Sequence, residues 1–195
     1  RGFQGELSDP ATLAACAKHY VGYGAAEGGR DYNTTWIPER ELRDVYLPPF
    51  KAAAEAGVAT FMSAFNDING IPTSGNYFTL TEILRNEWQF DGFVISDWDA
   101  VGEMIDHGFC RDSSEAAFKA VIAGVDMEME SRAYELELQH LLNDKKICED
   151  LINERVANIL RIKFRLGLFD NPYNNGKRRN VLLSEKHMQV AREAA

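Results

Sequence analysis

The chain has 195 residues, 45% of them hydrophobic and 26% charged, and 21 Lys and Arg set against 30 Asp and Glu leave a net charge of −9. That is ordinary for one globular domain, and the acidic balance argues against a surface built to track nucleic-acid phosphates. The one basic run, Lys177-Arg178-Arg179, reads as part of a solvated linker.

Residues 14–20 form the first strand-like segment and end on Lys18-His19-Tyr20. A cation beside an imidazole at a strand's carboxyl end can hydrogen-bond the vicinal hydroxyls of a sugar, although the pair standing alone reads better as a surface Lys and a packed His. The loop that follows, residues 22–33, is rich in Gly and polar groups. It is no phosphate cradle, because G-x-G-x-x-G is absent and no Walker Lys-Ser/Thr follows. Glu27 and Arg30 are its candidate site residues. Residues 39–55 read as helix, with Pro48-Pro49 expected to break or kink it.

A second strand is expected over 59–64, followed by Asn69-Gly70 as a tight-turn signal. Met62 and Phe65 suit either the core or an apolar wall for a sugar. Residues 79–88 read as a helix opened by a Thr79-x-x-Glu82 capping box. The third strand, 93–96, is a continuous apolar run that suits a strand covered on both faces. Asp97 and Trp98 fall at its end, where (β/α) barrels place their chemistry. Alone, Asp97 can be a nucleophile, a base, a metal ligand or a helix cap.

A helix over 113–123 with Asp112 as N-cap and a fourth strand over 124–129 complete the alternation, which argues for parallel β/α architecture. Beyond it Ile152, Val156, Ile159, Leu160 and Phe164 keep helical spacing, with Gly167 as the residue just past the helix. Residues 170–180 are polar and turn-rich, and a last helical segment begins near Ser184. No apolar stretch approaches the roughly 20 residues of a membrane span, and the first residues lack the apolar core of a signal peptide. Cys16, Cys110 and Cys148 are odd in number and far apart, so they give neither a disulfide framework nor zinc spacing.

Several of these segments together resemble glycoside hydrolase family 3, the exo-acting β-glucosidases and their relatives. The resemblance is carried by Lys18-His19-Tyr20, by Glu27-Gly-Gly-Arg-Asp-Tyr-Asn33 and by Met62-Ser-Ala-Phe-Asn-x-x-Asn-Gly70. It continues through Leu84–Trp98, Ala123-Gly-Val-Asp-Met-Glu-Met129 and Arg155–Phe169, in the family's order. It implies an α/β fold, a partial (β/α)8 barrel of TIM type with about four β/α units. Residues 1–169 would be the C-terminal half of the barrel, 170–183 a linker, and 184–195 the start of a helix leading to a second domain.

The resemblance also implies a retaining mechanism with Asp97 as nucleophile. Lys18, His19 and, less securely matched, Arg30 would bind the terminal sugar, with Met62, Phe65 and Trp98 lining its site. Neither metal nor cofactor is implied. Phe65 stands where several relatives carry Tyr, which removes a hydroxyl near the nucleophile. Tyr23 occupies the second His position of the β-N-acetylglucosaminidase signature, which disfavours that branch. The implied partners are a β-glucoside or oligosaccharide substrate and the rest of the barrel with an α/β-sandwich domain that carries the acid/base Glu. Neither nucleic acid nor membrane is expected. These 195 residues alone are expected to be inactive, and the resemblance points to a periplasmic or secreted protein. The readings left open beside it are β-xylosidase specificity, a non-catalytic sugar-binding or scaffold chain, and a metal-dependent enzyme using Asp97, Asp99 and His107.

Overall fold

The computed structural model describes residues 2, 4–173 and 181–195. The basic run at 177–179 and much of the expected linker lie outside the described residues. In chain order the strands are β1 (Cys16–Tyr20), β2 (Thr60–Ser63), the short pair β3 (Asp67–Ile68) and β4 (Ile71–Pro72), β5 (Phe93–Trp98) and β6 (Met127–Met129). Four of them form one all-parallel sheet in the order β1-β2-β5-β6. Between β1 and β2 lie the helical turns Glu39–Glu41 and Leu42–Tyr46 and then α1 (Pro48–Glu55). Helix α2 (Phe78–Glu87) joins β2 to β5, and α3 (Ser113–Ala123) joins β5 to β6. Helices α4 (Ala133–Asn143), α5 (Glu149–Arg165) and α6 (Glu185–Ala194) follow. Strand order equal to chain order, with a helix in every crossover, is the winding of a (β/α) barrel. The chain forms a four-unit arc of one.

Local chemistry explains most boundaries. The expected break at Pro48-Pro49 occurs. Leu47 N bonds back to Leu42 O at 2.9 Å, and a new helix starts with Pro48 at its first position, where a missing N–H costs nothing. Asp112 caps α3, its Oδ1 accepting from Glu115 N at 2.9 Å. Gly167, with φ +68°, sits just past α5 as expected. Asn69 and Gly70 turn the β3–β4 hairpin.

Three expectations need correction. The Thr79–Glu82 capping box does not form, because Asn76 precedes it and accepts from Thr79 N at 3.1 Å. The fourth strand begins at Met127 rather than 124, since Gly124 (φ +119°) still terminates α3. And the two faces of β5 are not equally covered among the described residues. Phe61 and Val94 are fully buried on the helix side, whereas the alternate residues Met62 and Ile95 are half-buried on the other.

The helix side of the sheet holds the core, built on Tyr20, Phe61, Leu80, Leu84, Val94 and Val125. Tyr20 is packed edge-on by Phe50 and Phe61, with centroids at 5.2 and 5.4 Å, and its hydroxyl donates to Thr79 O at 2.9 Å. At the sheet's amino end, the buried Asp126 accepts from Val94 N (2.7 Å), Arg85 Nη2 (2.5 Å) and Asn158 Nδ2 (2.9 Å), with Arg155 Nη1 at 3.4 Å. Arg85 also donates to the carbonyls of Phe90 and Gly92. One carboxylate therefore ties α2 and α5 to β5.

Candidate active site

The site is built at the opposite, carboxyl end of the sheet. Strands β5 and β6 pair at Ile95↔Met127 and again at Trp98↔Met129, three steps against two, so β5 carries an extra residue at Ser96–Asp97. Such a bulge re-aims a side chain. Here Ser96 takes up the slack: its fully buried Oγ accepts from Met129 N at 2.8 Å and donates to Asp97 O at 3.0 Å. Asp99 then leaves the strand with φ +53°, its N–H donating to Met129 O.

Asp97 is buried, and its two oxygens differ. Oδ1 accepts from Trp98 N at 2.8 Å. Oδ2 has no hydrogen-bond partner among the described residues, and lies 3.4 Å from His19 Nε2 without hydrogen-bond alignment. Burial and the neighbouring Lys18 ammonium push the His19 imidazole below its ordinary range, against the opposing pull of Asp97. Strand β1 thus delivers His19 directly to Asp97, with the exposed Lys18 one residue back.

Beyond His19 a line of packed rings runs outward. His19 meets Tyr23 at 5.2 Å between centroids, Tyr23 meets Phe65 at 6.0 Å, and Phe65 meets Tyr32 at 4.5 Å. The loop that carries Tyr23 and Tyr32 pivots on Gly22, whose φ is +82° and where a Cβ would stand 2.8 Å from Ile37 Cδ1. No other residue fits there without a shift.

The six expected site residues other than Asp97 are therefore not equally placed. His19 touches Asp97, Trp98 supplies the amide that holds it, and Met62 pairs in register with Ile95 on the neighbouring strand. Phe65 is part of the ring line. Trp98 itself is 58% exposed beside the site. Arg30 is exposed and makes no ion pair or side-chain hydrogen bond among the described residues. His107 turns away from the metal-site reading. Its Nδ1 lies 3.6 Å from Asp67 Oδ2 and its Nε2 is 3.1 Å from Phe65 O.

Sequence reasoning missed Glu103, on the single turn Gly102–Met104 after β5. Its Oε2 is buried without a partner among the described residues. Burial first, then the charges of Asp99, Asp106 and Asp97, push its carboxyl up to about 7. The signal in sequence was the crowding of Asp97, Asp99, Glu103 and Asp106 within ten residues. A carboxyl raised in the folded state stabilises the fold below the ordinary value of 4.5, and that contribution is lost as pH rises through about 7. Replacing Glu103 by Gln therefore raises Tm relative to wild type more at pH 7.5 than at pH 4.5. A Tm difference that stays constant between the two would show that Glu103 is not held protonated.

Comparison with known proteins agrees with this geometry. Residues 1–162 match the family model described as glycosyl hydrolase family 3 N terminal domain. A periplasmic beta-glucosidase of Salmonella typhimurium is 36% identical over 168 residues, covering 86% of this chain and 22% of that protein. A beta-xylosidase of Formosa agariphila is 39% identical over 181 residues, 87% of this chain and 25% of that one. The crystal structure of beta-glucosidase from Listeria innocua in complex with glucose superposes with a TM-score of 0.95 at 43% identity, over 99% of this chain and 27% of that one. The chain spans about a quarter of the length of these relatives.

Proposed function

The chain belongs to glycosyl hydrolase family 3, and from that membership we propose that the protein carrying it is a retaining, exo-acting glycosidase that releases terminal β-linked glucose. The observation that carries the reading is the state of Asp97: buried at the carboxyl end of a parallel strand, with Oδ1 fixed by a backbone amide and Oδ2 unpartnered beside His19. An oxygen that makes no hydrogen bond of its own is free to attack. In this reading Oδ2 bonds to the anomeric carbon as the bond to the leaving oxygen breaks, and an acid group protonates that oxygen. Water then cleaves the glycosyl-enzyme. His19 and Lys18 hold hydroxyls of the sugar under attack, and Met62, Phe65 and Trp98 wall its ring.

The acid/base carboxyl belongs about 5–5.5 Å from the nucleophile in a retaining enzyme. We assign it to a Glu outside these residues, on a second domain reached through the 170–183 linker and the helix at 184–195. Residues 1–169 are then the C-terminal half of the barrel, and the 195 residues alone are inactive. The periplasmic and lysosomal relatives favour a compartment outside the cytosol. Relatives named as beta-xylosidases, at 37% and 39% identity, support a second reading in which the sugar released is xylose.

Proton NMR of the first product released from an aryl β-glucoside by the full-length protein tests the reaction. The β-anomer is expected first, and release of the α-anomer would contradict a covalent role for Asp97. Ser96 is a positioning residue in this scheme. Ser96→Ala relaxes the bulge, and kcat falls about ten- to a hundredfold with KM little changed. Ser96→Thr, which keeps the hydroxyl, restores most of it. An Ala variant with wild-type kcat would show that the bulge holds Asp97 without Ser96.

A further inference from the structure

We propose that His107 is a positioning residue for the reaction, holding the main chain at Phe65 so that the Phe65 ring stands as a fixed wall of the sugar site. The proposal rests on the glycosidase reading above. His107 sits on the segment that leaves β5 after Asp97, and its N–H donates to Glu103 O at 2.9 Å. Its side chain, 14% exposed, crosses to the stretch around the start of β3. There Nε2 lies 3.1 Å from Phe65 O, and Nδ1 lies 3.6 Å from Asp67 Oδ2. A carbonyl oxygen can only accept, so Nε2 carries a proton and donates.

The neighbouring backbone explains why that bond matters. On one side of Phe65, Ala64 N donates to Tyr20 O at 2.8 Å, and on the other Asn66 O accepts from Thr73 N at 3.1 Å. Asp67 is pinned as well. Its Oδ1 accepts from Gly70 N at 2.8 Å, its Oδ2 from Thr34 Oγ1 at 2.7 Å, and its carbonyl from Thr35 N at 2.9 Å. Phe65 between them makes no backbone–backbone hydrogen bond among the described residues, and there the His107 ring is the one partner of its carbonyl. An imidazole from another segment therefore supplies the anchor that neither strand nor hairpin provides. The Phe65 ring is half-buried and packs against Tyr32 at 4.5 Å and Tyr23 at 6.0 Å, and Tyr23 in turn packs on His19. Asp97 is held separately, by Trp98 N and by the bulge at Ser96. Loss of the His107 bond is thus felt at the wall and not at the nucleophile. A wall that meets ground state and transition state alike acts on KM more than on kcat.

The test is steady-state kinetics of the full-length protein on 4-nitrophenyl β-glucoside and β-xyloside, with the better of the two used for the variants. In His107→Leu, KM is expected to rise about tenfold, the worth of one good hydrogen bond, with kcat within about twofold of wild type. His107→Gln, whose amide nitrogen reaches as far as Nε2, is expected to recover most of that loss. His107→Asn, whose amide stops at the Nδ1 position, is expected to recover little. Should the Leu variant fail to fold, the comparison of Gln with Asn decides alone. Coupling separates positioning from bulk stability: in a Phe65→Ala background, His107→Leu is expected to leave KM unchanged while still lowering Tm. Losses in KM that add across the two sites, a fall in kcat with KM unchanged, or a Gln variant no better than Asn overturns the assignment. Wild-type protein that turns over neither glycoside overturns the glycosidase reading, and this assignment with it.

Discussion

Asp97→Asn in the full-length protein is expected to lower turnover of an aryl β-glucoside by at least about a thousandfold, with the fold intact. The amide keeps the size of the carboxylate, and its oxygen can still accept from Trp98 N, the bond that anchors Oδ1. The change is confined to the other atom. Oδ2, which no hydrogen bond occupies, becomes an NH2 that cannot attack an anomeric carbon. Among the described residues no Lys or Arg forms an ion pair with Asp97, and its nearest titratable neighbour is the partly exposed His19 at 3.4 Å. Removing its charge therefore leaves no strongly paired group behind. Activity within tenfold of wild type would mean that Asp97 is not the nucleophile.

Asp126→Ala is expected to do the reverse, with its largest effect on stability. It strands Arg85, whose Nη2 is 2.5 Å from Asp126 Oδ2, and Arg155, at 3.4 Å from Oδ1, both with little solvent access. It also removes the acceptors for Val94 N and Asn158. Breaking a buried ion pair from one side typically costs about 3–5 kcal/mol, because the remaining charge stays desolvated. In a domain of this size that lowers Tm on the order of 10 °C. Asp126→Asn keeps an oxygen for Asn158 or Val94 and should lose less. An Ala variant that melts with the wild type would show that α2 and α5 are held to the sheet by apolar packing alone.

The two ends of the sheet also differ in how well the sequence exposes them. Strand order was legible because apolar runs alternate with capped, periodic helices, and because Pro48-Pro49, Asp112 and Gly167 act through local backbone chemistry alone. Thr79 misled because two polar residues three positions apart competed for one helix start, and Asn76 won. The bulge at Ser96 was hidden, since register depends on what β6 presents and not on β5 itself. The Asp126 cluster was equally hidden. It joins residues 85, 94, 126, 155 and 158, and only the oddity of a carboxylate inside an apolar segment announced it. At the site, the resemblance named Asp97, His19 and Trp98, and the fold brings these three together. The placement of Arg30 was not legible, because the loop that carries it turns on Gly22 and Gly28, whose positive φ no spacing rule anticipates. Glu103 went unseen because its unusual state comes from burial and from neighbouring carboxylates, which a linear reading registers only as local charge.

The central claim is that Asp97 forms a covalent bond to the sugar, and the most direct measurement is trapping. Incubating the full-length protein with a 2-fluoro β-glucoside that carries a good leaving group should stop turnover and add one fluoroglucosyl mass. Peptide mapping should then place the adduct on the carboxylate of Asp97, within Phe93–Trp98. An adduct on any other carboxylate, or inactivation with no covalent adduct, would contradict the account.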